Sequence, residues 1–143
     1  MSVLVVDASV VIKWFVPEIH TASARRLLTL NNQYFAPDLL FAEIASAVCK
    51  KVKTGQLSPA EGGRLVADFA AVAVETVPCR RLARDAYALA SATGCSVYDA
   101  MYLALAVRLE TQMITADERL AHALAATPEI ARHVRTIQSF ADD

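Results

Sequence analysis

Four carboxylates stand out because each falls where a chain can aim a side chain into a crevice: Asp7, Glu43, Asp99 and Asp117. Asp7 ends the apolar run Val3-Leu4-Val5-Val6, and Asp117 closely follows Met113-Ile114-Thr115. Asp99 is the only charged residue from Val97 to Val107, and Glu43 lies near the start of a long helical segment. Like charges gathered in one place repel and raise one another's pKa values unless a cation neutralises them. No conspicuous Lys or Arg accompanies three of the four. An oxygen-only ligand set suits Mg²⁺ or Mn²⁺ rather than zinc. Such a centre performs in-line displacement at phosphorus, with metal activating water and neutralising charge on the leaving oxygen.

Each acid also has an ordinary job to set against this one. Asp7 and Asp117 each stand where an Asp caps the helix that follows. Ser96-x-x-Asp99 has capping-box spacing, although the usual last member is Glu or Gln. Glu43, Ser46, Lys50 and Lys53 recur at helical spacing, as on the solvated stripe of an amphipathic helix. Taken singly, each bland reading is the better one. Asp99 resists it most, because it is the lone charge in a segment apolar nearly all round, which makes it the acid expected to be most buried.

The elements that must bring these acids together are legible from periodicity. Val3 to Val6 is β-branched and apolar throughout, the pattern of a strand buried on both faces of a parallel sheet. A helix is expected from Ala8 to Val16, stopped by Pro17, and a second from about Thr21 to Leu30 with Leu27, Leu28 and Leu30 inward. Tyr34 to Ala36 reads as a short strand, and Pro37-Asp38 opens a helix to about Lys53. Ser58-Pro59-Ala60-Glu61 starts another helix, Val74 to Val77 is β-like, and helices follow from about Arg81 to Thr93 and from Ser96 to about Glu110. Met113 to Thr115 is a strand, Glu118 to Ala126 a helix, and Val134 to Ile137 an edge strand. Strands separated by helices need crossovers, so the fold expected is one three-layer α/β/α domain over residues 1–143 with a central parallel sheet. Ligands then bind beyond the carboxyl ends of the strands, where Asp7 and Asp117 fall.

Composition bounds the function classes without choosing among them. A chain of 143 residues, 55% of them hydrophobic, can bury a core without staples, and a net charge of −1 offers no basic field for nucleic acid. Cys49, Cys79 and Cys95 form no C-x-x-C pair and read as small core hydrophobes in a reduced compartment. His20, His122 and His133 lack ligand spacing. The opening apolar run is too short for a signal peptide or a membrane span, so a cytoplasmic location with no membrane association is expected.

Four stretches carry a family resemblance: V-V-D-A-S-V from Val5 to Val10, A-E at Ala42-Glu43, S-V-Y-D-A-M-Y-L-A-L-A from Ser96 to Ala106, and I-T-A-D from Ile114 to Asp117. In order and separation they resemble the successive acidic motifs of PIN-domain nucleases of the VapC type, from Val3 to Leu120. That resemblance implies a PIN-like fold and a Mg²⁺- or Mn²⁺-dependent endoribonuclease leaving 5′-phosphate and 3′-hydroxyl ends. Asp7, Glu43, Asp99 and Asp117 would hold the metal, with Ser9 and Thr115 as small polar neighbours. It also implies the toxin of a type II toxin–antitoxin pair, with RNA as substrate, a cognate antitoxin protein as partner and, given the apolar composition, a homodimer. An RNA-processing nuclease without a toxin role, or an inactive scaffold, would share the fold.

Grip on RNA must come from outside the acids. Lys50 and Lys53 lead away from Glu43 along its helix and are candidate backbone contacts, with Arg25-Arg26 and Arg80-Arg81 as equals. Trp14 and Tyr98 are able to stack on bases, although aromatic residues in apolar helices more often serve the core. The rival from another class is a phosphoacceptor receiver with Asp7 as acceptor, but receivers usually carry a second acid where Ala8 stands. A haloacid-dehalogenase-like phosphatase would need D-x-D, which Asp7-Ala8-Ser9 lacks.

Overall fold

The computed structural model describes residues 2–140; residue 1 and residues 141–143 of the expected domain lie outside the described residues. Its framework is a five-stranded, all-parallel sheet of β1 (Ser2–Val6), β2 (Asn32–Pro37), β3 (Val74–Val77), β4 (Met113–Thr115) and β5 (Val134–Thr136), in the order β3-β2-β1-β4-β5. The apolar run at the amino terminus is thus the middle strand. Val5 pairs with Phe35 on one side and with Met113 on the other, and Val5 and Val6 are fully buried. The chain winds outward from β1 to β3, then returns to β1's other side for β4. The strand order therefore reverses between β1 and β4, which opens a crevice at their carboxyl ends.

Among the described residues eight α-helices connect these strands: α1 (Ala8–Val11), α2 (Thr21–Leu27), α3 (Leu40–Lys53), α4 (Pro59–Phe69), α5 (Cys79–Thr93), α6 (Val97–Arg108), α7 (Glu118–Leu124) and α8 (Pro128–Ala131). The long and largely apolar α6 packs against β1, β2 and β4 and against α5, burying Leu103, Ala104, Leu105 and Ala106. On α3 the residues Leu40, Ile44 and Val48 recur every four positions and face the core. A complete capping box between Ser58 and Glu61, followed by Pro59 in the first turn, starts α4. The left-handed Gly94 at φ 79° ends α5, a conformation that costs glycine little. Among the described residues no helix is long and apolar enough to cross a membrane.

Several expectations need correcting. The first helix stops at Val11 and tightens into a 3₁₀ turn over Ile12–Trp14, where Val10, Val11 and Ile12 crowd the backbone and Pro17 disfavours a helical Val16. Trp14 sits in the core and donates its indole N–H to the Ala24 carbonyl at 2.8 Å. On α2 the buried face is Ser23, Ala24 and Leu27; Leu28 and Leu30, placed beyond its last turn, are exposed. Cys49 is exposed because its neighbour Val48 takes the core-facing position, whereas Cys79 and Cys95 are half-buried, Cys95 packing against the edge of the core. The short α8 was not foreseen.

The contact between α3 and α4 yields a paired test. A Cβ added at Gly62 would lie 2.8 Å from Val52 Cγ2 and 3.2 Å from Val48 Cγ1, whereas one added at Gly63 meets nothing within 4 Å. Ala at Gly63 gains helix propensity without a clash and should stabilise by about 0.5–1 kcal/mol. Gly62→Ala must push two stiff valines aside and should lose about 1–3 kcal/mol to overpacking, outweighing the same propensity gain. Chemical denaturation of both variants measures the difference; equal shifts of the same sign would mean that the two helices are less closely packed.

Candidate functional site

Asp7 follows the last residue of β1, and its backbone N–H donates to the Ile114 carbonyl at 3.2 Å, so the bonding between β1 and β4 reaches the acid itself. The residue is only 7% exposed. Oδ1 accepts from the Ser9 hydroxyl at 2.5 Å and from the Val10 N–H at 3.3 Å, the second bond capping α1. Ser9 Oγ in turn accepts the Ala116 N–H at 3.0 Å. Thr115, fully buried, accepts the Asp117 N–H at 3.1 Å on Oγ1 while its hydroxyl bonds toward Asp7. Two hydroxyls thus link the backbone at the end of β4 to the carboxylate at the end of β1.

Burial still dominates, pushing the Asp7 carboxyl from 3.8 up to about 6. Bonds from Ser9, Thr115 and Val10 oppose the rise, and the charge of Asp99 adds to it. Asp7, not Asp99, is therefore the most buried of the four acids. Asp99 sits in the first turn of α6, at the helix end that emerges from the core, and is partly exposed. Ser96 Oγ accepts the Asp99 N–H at 3.0 Å, but the return bond that completes the box at α4 is not made here. The Asp99 pKa is raised by burial first and by Asp117, with Ser96 opposing.

Glu43 departs from the solvated stripe to which its spacing assigned it. Ser46, Lys50 and Lys53 are exposed, but Glu43 is partly buried against α6, where its Oε1 accepts the Tyr102 hydroxyl at 2.6 Å. Burial raises its pKa, the Tyr102 bond lowers it, and Asp99 raises it again. Tyr102 is 1% exposed, and its own pKa is raised by burial, by its bond to Glu43 and by the charges of Glu43 and Asp7. Sequence reasoning missed Tyr102; its signal was the three-residue step from Asp99, which places both on one face of α6. Asp117 is exposed, and its Oδ1 accepts the Leu120 N–H at 3.0 Å to cap α7.

All four acids are thus electrostatically connected, with Asp99 at the hub: its charge acts on Asp7 and on Glu43, and Asp117 acts on it. In Glu43 and Asp117 one oxygen is pinned, and among the described residues no hydrogen bond reaches the other. No ion pair to any of the four acids occurs among the described residues; the two ion pairs found there both go to Glu18. Nor do three His, Cys, Asp or Glu side chains there form a group that closes on a metal ion by itself. Oxygen-only donors, uncompensated charge and no tight cage fit a hydrated Mg²⁺-class ion, which takes one or two carboxylates and completes its shell with water and phosphate.

Beside the acids, Ser9 and Asp117 border a groove of about 460 Å³ that Lys50 also lines. Lys53 is exposed but does not line it. Tyr98 is exposed beside Asp99, whereas Trp14 is committed to the core.

Residues 4–125 match the model of the PIN domain. The chain is 33% identical over 122 residues to Ribonuclease VapC3 of Pyrobaculum aerophilum, covering 82% of this chain and 92% of that one. With Ribonuclease VapC9 of Mycobacterium tuberculosis it shares 31% over 117 residues, covering 82% and 87%. A toxin–antitoxin complex from Klebsiella pneumoniae contains a chain of the same fold, with TM-score 0.65, 17% identity, and 94% and 97% of the two chains covered. A second is VapBC2 from Rickettsia felis bound to a DNA fragment from their promoter, with TM-score 0.61, 11% identity, and coverage of 94% and 98%. The chain belongs to the PIN-domain family, among the VapC-type ribonucleases.

Proposed function

We propose that this protein is a divalent-metal-dependent endoribonuclease and the toxin of a toxin–antitoxin pair, working with Mg²⁺ or Mn²⁺. The observation that supports the reading is that Asp99 acts electrostatically on Asp7 and on Glu43, and Asp117 on Asp99, close to the strand-order reversal and with no ion pair to any of the four among the described residues. Asp7, Asp99 and Glu43 are assigned to hold the ion, with Asp117 completing the set. When bound, such an ion lowers the pKa of water and stabilises charge on a phosphate. The chain's own part is positioning. Ser9 and Thr115 fix the Asp7 carboxylate, Tyr102 fixes Glu43, and Ser96 steadies the turn that presents Asp99. A phosphoacceptor role for Asp7 fits poorly, because the residue is buried and its carboxylate, bonded to Ser9 and Val10, offers little approach to a phosphodonor.

The relatives named as ribonucleases and the fold neighbours taken from toxin–antitoxin complexes support the substrate class and an antitoxin partner. Exposed Tyr87, Val97, Tyr98 and Val107 on α5 and α6 support a homodimer through those helices. Multi-angle light scattering at micromolar concentration should give twice the chain mass; a monomer would refute the dimer.

The purified protein should cleave single-stranded or structured RNA with Mg²⁺ or Mn²⁺ and stop on addition of EDTA. Asp7→Ala and Asp99→Ala should each abolish cleavage, whereas Tyr102→Phe should leave measurable activity at a rate lowered about 10- to 100-fold through a misplaced Glu43. Wild-type rates in both Asp variants would refute the site.

The raised pKa of Asp7 makes a stability prediction with a definite sign. Its folded-state value of about 6 exceeds 3.8, so between those pH values the folded protein binds more protons than the unfolded chain. Metal-free wild type should therefore lose stability as pH rises from about 4 to above 6, by roughly 3 kcal/mol from this group. Asp7→Asn lacks the titration, so in EDTA its stability relative to wild type should improve across that window and exceed wild type at pH 8. Excess Mn²⁺ should reverse the order, adding about 2.7 kcal/mol to wild type at a hundred times its dissociation constant. Thermal melts at pH 4.5 and 8, with EDTA and with Mn²⁺, decide it. A variant less stable than wild type in EDTA at both pH values would make Asp7 a purely structural cap.

A further inference from the structure

The groove that shares Ser9 and Asp117 with the acids carries an array of opposite charge that the reading above leaves unused. Lys13, Glu18, Lys50 and Lys51 all line it. Lys51 donates from Nζ to Glu18 Oε2 at 2.6 Å, and Lys13 Nζ lies 3.6 Å from Glu18 Oε1. One carboxylate therefore stands between two ammonium groups, while Lys50 has no ion pair among the described residues. Lys13 is 7% exposed, a burial that an ammonium tolerates only beside a counter-charge. Lys13 comes from the 3₁₀ turn after α1, Glu18 from the loop before α2, and Lys51 from α3, so three separate segments converge on this point.

A bare structural ion pair needs one cation for one anion. Here two lysines share one glutamate and a third, Lys50, lines the same groove without an ion pair among the described residues, so the three ammonium groups outnumber the groove's two carboxylates, Glu18 and Asp117, beside a proposed phosphate-cleaving centre. We propose that this groove is a phosphate subsite for single-stranded RNA, in which Lys13, Lys50 and Lys51 hold the backbone next to the phosphate lying over the acids. Glu18 is its internal counter-ion, holding Lys13 and Lys51 in position and weakening the field that an approaching phosphate feels. The inference rests on the ribonuclease reading for its substrate, but it assigns residues outside the four acids. Its mark is one of sign. Removing Glu18 should tighten RNA binding, whereas removing a lysine should loosen it.

The test uses the full chain and a short fluorescein-labelled single-stranded RNA, followed by anisotropy in EDTA so that nothing is cleaved, across a series of salt concentrations. Lys50→Gln and Lys51→Gln should each weaken binding by about threefold to tenfold and flatten the logarithmic salt dependence by about 0.7. Glu18→Gln should strengthen binding by a similar factor. Arg132→Gln, beside His133 at the opposite end of the sheet, should bind like wild type. In cleavage with Mn²⁺, Lys50→Gln should raise KM with kcat unchanged, the signature of uniform substrate binding. Thermal melts check each variant, and the exposed Lys50 carries the test should a change at Glu18 or Lys51 prevent folding. Wild-type affinity and salt dependence in Lys50→Gln, weaker binding in a folded Glu18→Gln, or no binding of RNA by wild type at low salt would each overturn the subsite. Should wild type bind through these lysines yet cleave no RNA with any divalent ion, the subsite stands and the nuclease reading falls; cleavage by wild type with lysine variants that bind normally gives the opposite result.

Discussion

A carboxylate buried at the end of the central strand is the constraint around which the rest of this structure is arranged. Asp7 cannot move toward water without breaking the pairing of β1 with β4, because its own N–H is the last bond of that ladder. Nor does any lysine or arginine form an ion pair with it among the described residues. What offsets the cost is a set of neutral donors, the Ser9 and Thr115 hydroxyls and the Val10 amide, which lower its pKa but do not cancel the effect of burial. A full ion pair would have stabilised Asp7 better and filled the place that the proposed metal and phosphate would need. Partial satisfaction leaves the site charged, positioned and open.

The structural role of these acids and the chemical role proposed for them are therefore compatible. Asp7 and Asp117 do cap α1 and α7, as their positions suggest, and in Asp117 the cap occupies one oxygen. Pinning one oxygen fixes the rotamer, which is what orients the other. Glu43 is held in the same way by a side chain, Tyr102 Oη, in place of a backbone amide. Weighing cap against ligand for each residue alone posed a choice that a two-oxygen group does not have to make.

How much of this was legible depends on whether the deciding interaction is local. The strands at Val3–Val6 and Met113–Thr115 carry their burial in their own composition, so the sheet edge and the acids at it could be placed from sequence. Even the edge strand near Val134 was recoverable. Burial of a helix's first turn is not local: α6 is apolar along its length, but Asp99 lies where the helix leaves the sheet, and the apolar pattern cannot say where that happens. The same holds for Cys49, whose neighbour Val48 takes the core-facing position. Tyr102 was hidden for a different reason, since its partner Glu43 is 59 residues away and a tyrosine in an apolar helix normally reads as core.

Charge distribution shows the same dependence on long-range placement. A net charge of −1 offered no sign of a nucleic-acid surface, yet the average conceals a local grouping: Asp7 and Asp117 lie just past the ends of β1 and β4, while Lys13, Lys50 and Lys51 line the adjoining groove. Grouping of this kind has a physical consequence that composition cannot carry. Uncompensated carboxylates repel an approaching polyanion, so a chain with only the acidic centre would rely on bound cations for both affinity and chemistry. Lysines set beside it supply an attractive field within about one Debye length, where salt leaves interactions largely intact. With the subsite proposed for these lysines, the same fold would bring a phosphate to a site whose own charge would turn it away.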